Sequence, residues 1–151
     1  MFEVIVVAVD GSDQKHAVLS YAAEITRHFG ADLHMVSVFD LSQLWEAKVP
    51  SVPEIFEALE ADTKKLLAEA KQLLDGWGVA SKSHFLQGAV IDQITMLAER
   101  LNADLVIMGH RHVSGLRRLL ESSAAKGLID KSPCNVMIVK ESRPIPSAAI
   151  D

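Results

Sequence analysis

The hydrophobic pattern changes period several times along the chain, and each change marks an element. Glu3-Val-Ile-Val-Val-Ala-Val9 is apolar without alternation after Glu3 and rich in β-branched residues. A strand covered on both faces reads this way, because neither face is kept for water. Asp10-Gly-Ser-Asp13 breaks the run, and Ser12 or Asp13 is placed to cap a helix. Ala17, Val18, Tyr21, Ala22, Ile25 and Phe29 then recur at helical spacing, and Gly30 stands where a C-terminal glycine ends such a helix. Asp32 to Phe39 reads as a second strand. Residues 40–52 have no clean period and form a loop with room for one helical turn. An amphipathic helix follows from Pro53 to Asp75 with its stripe at Ile55, Phe56, Leu59, Leu66, Leu67, Ala70, Leu73 and Leu74; Gly76 and Gly78 end it.

The second half repeats the alternation. A weaker third strand covers Ser81 to Leu86. Gly88 turns the chain into a helix carrying Val90, Ile94, Leu97, Ala98 and Leu101. Asp104-Leu-Val-Ile-Met108 is a fourth strand ending at Gly109. A polar, basic loop leads to a helix that starts at about Leu116 or Ser122 and runs to Lys131; Pro133 separates it from a last strand, Asn135 to Lys140. Strands alternating with helices predict an α/β fold: a doubly wound five-stranded parallel sheet with right-handed crossovers and helices on both faces. Residues 1–140 read as a single domain and residues 141–151, with Pro144 and Pro146, as a loose tail. In such sheets ligands sit beyond the carboxyl ends of the strands, where the strand order reverses. The places to look are therefore Asp10-Gly-Ser after the first strand and Gly109 onward after the fourth.

Composition narrows the function classes. At 151 residues, with 49% hydrophobic and 23% charged positions, the chain has the balance of one globular domain. A net charge of −5 gives no field to draw it onto nucleic acid. The longest apolar run, Val4 to Val9, is far shorter than the roughly 20 residues of a bilayer span. Glu3 and Asp10 bracket that run, which is unlike a secretory leader. The single cysteine, Cys134, excludes an internal disulfide and a multi-cysteine zinc site. A cytoplasmic location is the expectation.

The two strand-end loops carry the candidate chemistry. Five of the ten residues in Gly109-His-Arg-His-Val-Ser-Gly-Leu-Arg-Arg118 are His or Arg, in a chain that is acidic overall. A glycine at a strand end admits a close backbone approach, helix N-termini favour anions, and cationic side chains add charge-assisted bonds. Phosphate is the natural guess, and a solvated basic loop is the alternative. Asp10 is open to two roles: steering a phosphate-bound metal or a ribose, or capping the first helix and pairing with Arg111. His110 and His112 lack a third metal ligand. His16, His28, His34 and His84 are scattered and read as surface or helix-face positions. Cys134 reads as a packed thiol. No GxSxG elbow and no paired carboxylates mark a catalytic centre, so no catalytic residue is assigned.

Val6-Val-Ala-Val-Asp-Gly-Ser12, Asp104-Leu-Val-Ile-Met-Gly109 and Ser132-Pro-Cys-Asn-Val-Met-Ile-Val139, in that order and spacing, resemble the universal stress protein family. The resemblance implies strand order 3-2-1-4-5, a homodimer through the last strand (Asn135 to Lys140) and, in many members, binding of ATP or AMP with Mg²⁺. It implies that Ala8 and Val9 contact adenine through their backbone, that Val38 covers the base and that Asp10 is the acidic residue after strand one. The nucleotide-binding members carry a glycine, two residues, a second glycine, nine residues, then glycine and serine or threonine. Here these positions hold Gly109, His112, Ser122 and Ser123, so the second and third glycines are replaced. The adenine half of the site is kept and the phosphate half altered, as in the branch typified by the enterobacterial founder, which does not hold ATP. Two readings follow. One is a non-catalytic, dimeric stress-response regulator with weak or absent nucleotide binding and an unidentified protein partner. The other is an adenine-nucleotide binding module with slow ATP hydrolysis, in which Asp10 holds Mg²⁺ and Arg111 faces the phosphates.

Overall fold

The computed structural model describes residues 1–40, 53–110 and 128–140. Its elements in chain order are β1 (Val4–Ala8), α1 (Lys15–Phe29), β2 (Asp32–Phe39), α2 (Pro53–Gly76), β3 (Lys82–Gln87), α3 (Val90–Leu101), β4 (Leu105–Gly109) and β5 (Asn135–Val139). The five strands form one parallel sheet in the order β3-β2-β1-β4-β5. Both the doubly wound architecture and the 3-2-1-4-5 order are as expected.

The unbroken apolar run of β1 has a direct cause. Ile5 and Val7 point into one core with Ala17, Leu19 and Ala22 of α1 and Leu67, Ala70 and Leu74 of α2. Val6 and Ala8 point into a second core with Ile94, Leu97 and Ala98 of α3 and Leu128. These four β1 side chains are at most 3% exposed, and burying each of Ile5, Val6 and Val7 contributes about 1.5–3 kcal/mol. β4 is buried in the same way along its whole length.

The ends of the elements follow local chemistry, with some departures from the sequence pattern. Gly30 ends α1 at φ +65, its N–H donating to the Thr26 carbonyl, as the glycine signal predicts. Neither Ser12 nor Asp13 is the N-cap of α1. Gln14 holds that position and makes no side-chain cap bond, while Ser12 sits two residues earlier and its hydroxyl accepts the Gln14 N–H at 3.4 Å. Asn102 ends α3 at φ +51, with its N–H to the carbonyls of Ala98 and Glu99. β3 lies one residue later than the apolar pattern placed it, and β5 stops at Val139. His34 and His84 are strand residues, and His34 is 6% exposed, so the surface or helix-face reading of these two is corrected. Residues 128–131 are helical, but the start of that helix, the loop over residues 41–52 and the tail over 141–151 lie outside the described residues.

β4 is fastened to β1 at its start. The Asp104 carboxylate accepts the N–H groups of Glu3 at 2.8 Å and Val4 at 3.0 Å, and the Asp104 N–H donates to the Val4 carbonyl at 2.8 Å. The bond from Val4 first, then that from Glu3, holds the Asp104 carboxyl below its usual range.

Candidate functional site: the crevice at the ends of β1 and β4

From β1 the chain crosses to β2 on one side, while β4 lies on the other side of β1. The strand order therefore reverses between β1 and β4, and the crevice that this opens lies beyond Ala8 and Gly109. The pairing of β1 with β4 ends at Val7 and Ile107, while Ala8 stays paired with Val36 and Gly109 with Val139, so the two strands part from each other there. Ala8 and Val9 are 3% and 2% exposed, and the Val9 N–H still donates to the Val36 carbonyl at 2.8 Å. Ala8 and Val38 belong to the core under α3, and Val9 to the core under α1 and α2.

Asp10 is half-buried just beyond the end of β1. Its Oδ1 accepts the Ser12 N–H at 3.0 Å, and the Ser12 carbonyl accepts the Lys15 N–H at 3.3 Å. The turn from β1 into α1 is thus wound on Asp10, which orients its carboxylate; short polar residues in turns act this way because their oxygen reaches the backbone two residues on.

Gln14 is the site residue that sequence reasoning missed. It is 1% exposed, and its Nε2 donates to the carbonyls of Val139 at 3.3 Å and Lys140 at 3.2 Å. It ties the start of α1 to the end of β5. No local signal reveals this, because its partners lie 125 and 126 residues away. Gln14 also explains Gly109. A Cβ on Gly109 would lie 2.9 Å from Gln14 Oε1 and 3.2 Å from Val18 Cγ2. Packing against Gln14 and Val18 therefore disfavours a side chain at this position whether or not a phosphate approaches it.

His110 follows Gly109 and is exposed. His112, Ser122 and Ser123 lie outside the described residues, as do Arg111, Gly115, Arg117 and Arg118. Ala8, Val9 and Asp10 therefore lie at the end of β1 and Gly109 at the end of the adjacent β4, with Val38 on the neighbouring strand β2. Of these, Asp10 offers an oriented carboxylate, while the Ala8 and Val9 side chains are buried in cores on opposite faces of the sheet. Among the described residues no three His, Cys, Asp or Glu side chains converge on a metal position. Cys134 is half-buried, and burial pushes its thiol pKa up, opposite to what a nucleophile needs. No helix among the described residues is long and apolar enough to cross a membrane.

Comparison with known proteins agrees with this geometry. Universal stress protein MJ0531 of Methanocaldococcus jannaschii is 29% identical over 144 residues, spanning 95% of this chain and 85% of its own. The universal stress protein of Archaeoglobus fulgidus in complex with dAMP is 26% identical, with a TM-score of 0.66 over 92% of this chain and 98% of its own. A universal stress protein in complex with cAMP shares the fold at a TM-score of 0.70 and 22% identity, covering 94% of this chain and 98% of its own. The model of the Universal stress protein family matches residues 1–140. With the sheet order, the switch-point crevice and these matches in agreement, the chain belongs to the universal stress protein family.

Proposed function

We propose that this protein is a non-catalytic, cytoplasmic regulator whose domain, residues 1–140, takes the adenosine end of an adenine nucleotide in the β1–β4 crevice and acts as a homodimer through Asn135 to Lys140. What supports the reading is the Asp10 carboxylate, oriented by the Ser12 N–H just beyond the end of β1, where the strand order reverses. The relative from Archaeoglobus fulgidus in complex with dAMP supports a monophosphate as ligand. His112 and Ser122, in place of two glycines, work against a triphosphate. A side chain there withholds the backbone N–H groups that would otherwise meet the outer phosphates. Affinity then comes from the nucleoside and one phosphate, and added phosphates contribute nothing.

Titration calorimetry of the purified protein with AMP, ADP and ATP, each with and without Mg²⁺, tests this. The expected dissociation constants are on the order of 10⁻⁴ M, about 5–6 kcal/mol. They should be similar for all three nucleotides and insensitive to Mg²⁺. ATP binding more than tenfold tighter than AMP would establish the alternative, a nucleotide module with an intact phosphate site. No binding of any adenine nucleotide would remove the crevice from the function.

A further inference from the structure

His34 of β2 and His84 of β3 lie on the sheet face covered by α3, alongside Val36 and Leu86. The register opposes His34 to Lys82 and His84 to Val36, so the two histidines are diagonal neighbours on adjacent strands. His34 Nδ1 and His84 Nε2 are 2.9 Å apart, with ring centroids at 5.1 Å and planes tilted by 30°. Two ring nitrogens at that distance need a hydrogen on one and a lone pair on the other. His34 is 6% exposed and His84 half-buried, so water has limited access to the pair.

The charged groups that face the pair come from three elements: Asp32 on β2, Lys82 on β3 and Arg100 on α3. On the remaining side β1 places the apolar Val6 opposite His34. Two cations outnumber one carboxylate, so the surroundings oppose added positive charge.

Counting protons shows what the pair does. With both rings neutral, one N–H donates to the other ring's nitrogen. One added proton leaves an N–H···N bond in place, now charge-assisted. A second proton removes the last lone pair and sets the N–H groups of two imidazolium rings against each other, their nitrogens 2.9 Å apart. One strand must then give way. β2 is paired on both sides, to β1 and β3, whereas β3 is at the edge of the described sheet and none of its residues is fully buried. We propose that the His34–His84 pair is a proton-operated latch on β3, closed while the pair carries at most one added proton and opened by the second, so that acid frees β3 from a sheet that otherwise stays folded.

Burial, more than any other cause, holds both rings below the ordinary histidine range. For His34 the next cause is Lys82, with Asp32 opposing it; for His84 it is His34, then Arg100 and Lys82. The open strand therefore binds protons more readily than the closed one. The latch is fully closed above the free-histidine value of about 6.5 and is lost as pH falls through the lower values of the closed form.

Amide hydrogen exchange at about pH 7.5 and about pH 5, corrected for intrinsic exchange rates, reads the opening directly. In the wild-type protein, protection at residues 83–86 should fall at least tenfold more than protection at residues 5–7 of β1. His84→Gln can still hydrogen-bond to His34 but cannot take a second proton, so in that variant the two segments should keep a constant ratio. Ring-nitrogen NMR of the wild-type protein needs no variant: His34 and His84 should titrate together, below the ordinary range. The latch is overturned if β3 loses no more protection than β1, if His84→Gln loses it equally, or if the two rings titrate independently at the ordinary value.

Discussion

Gly109 shows that a glycine singled out for a ligand also has a packing role that the sequence does not display. A glycine at the end of a buried strand, ahead of a basic loop, points to close approach by a ligand. The atoms that exclude a side chain there are Gln14 Oε1 and Val18 Cγ2, which belong to the protein's own packing. Gln14 cannot swing aside cheaply, because it is buried and its amide nitrogen is engaged by two carbonyls of the β5 end. Gly109→Ala should therefore destabilise the protein by about 1–3 kcal/mol, the usual cost of forcing an extra methyl into a packed interior. Urea denaturation without nucleotide measures this. A variant of unchanged stability but weaker nucleotide binding would return Gly109 to a purely ligand-facing role. Asn102 and the histidine pair show the same limit of sequence reading. Asn102 in the left-handed region is a cap that a glycine-based reading passes over. The contact of His34 with His84 spans 50 residues, so only strand pairing reveals it.

The elements were the most legible part of the chain. β1 and β4 announce themselves because burial on both faces removes polar residues from them, β2 because apolar residues outnumber its polar Asp32, His34 and Ser37, and α1 and α3 because of their buried apolar faces. β3 was the weakest signal, since as an edge strand it is half-exposed and its alternation is diluted by Lys82, Ser83 and His84. What the local pattern omits is how elements are fastened to each other. Asp104 does this for β1 and β4 through its carboxylate and the N–H groups of Val4 and Glu3. Because those bonds depress its pKa in the folded state, the stabilisation is present above the unfolded value of about 3.9 and disappears as pH falls through the lower folded value. Asp104→Asn lacks the ionised acceptor at every pH. The variant should be less stable than the wild type at neutral pH, and the difference should shrink in acid below about pH 4. Chemical denaturation at a series of pH values checks this, and a difference that stays constant into acid would show that Asp104 acts through packing alone.

At the scale of the whole molecule, the strand alternation announced a doubly wound sheet, but the 3-2-1-4-5 order came from family resemblance, because no local pattern records which strands are neighbours. That order leaves two edges, and their chemistry differs. β3 presents Lys82 and Ser83 as exposed residues, and edge lysines discourage pairing with another chain. β5 presents Val136 and Met137 half-buried and Ile138 36% exposed, an apolar edge that lacks this protection. An antiparallel pairing of two β5 strands across a two-fold axis would satisfy the open backbone groups of both and bury these side chains. The proposed homodimer should therefore sediment at twice the 16.5 kDa of one chain. Ile138→Lys should shift it toward monomer with little loss of fold, because the residue is already partly exposed and a charge on an edge disfavours strand addition. Met96→Lys places the same charge on α3 at a side chain that is 59% exposed, and should leave the dimer intact. Dissociation by Met96→Lys and not by Ile138→Lys would move the interface to the α3 face. A wild-type monomer at high micromolar concentration would leave the β5 edge to some other partner.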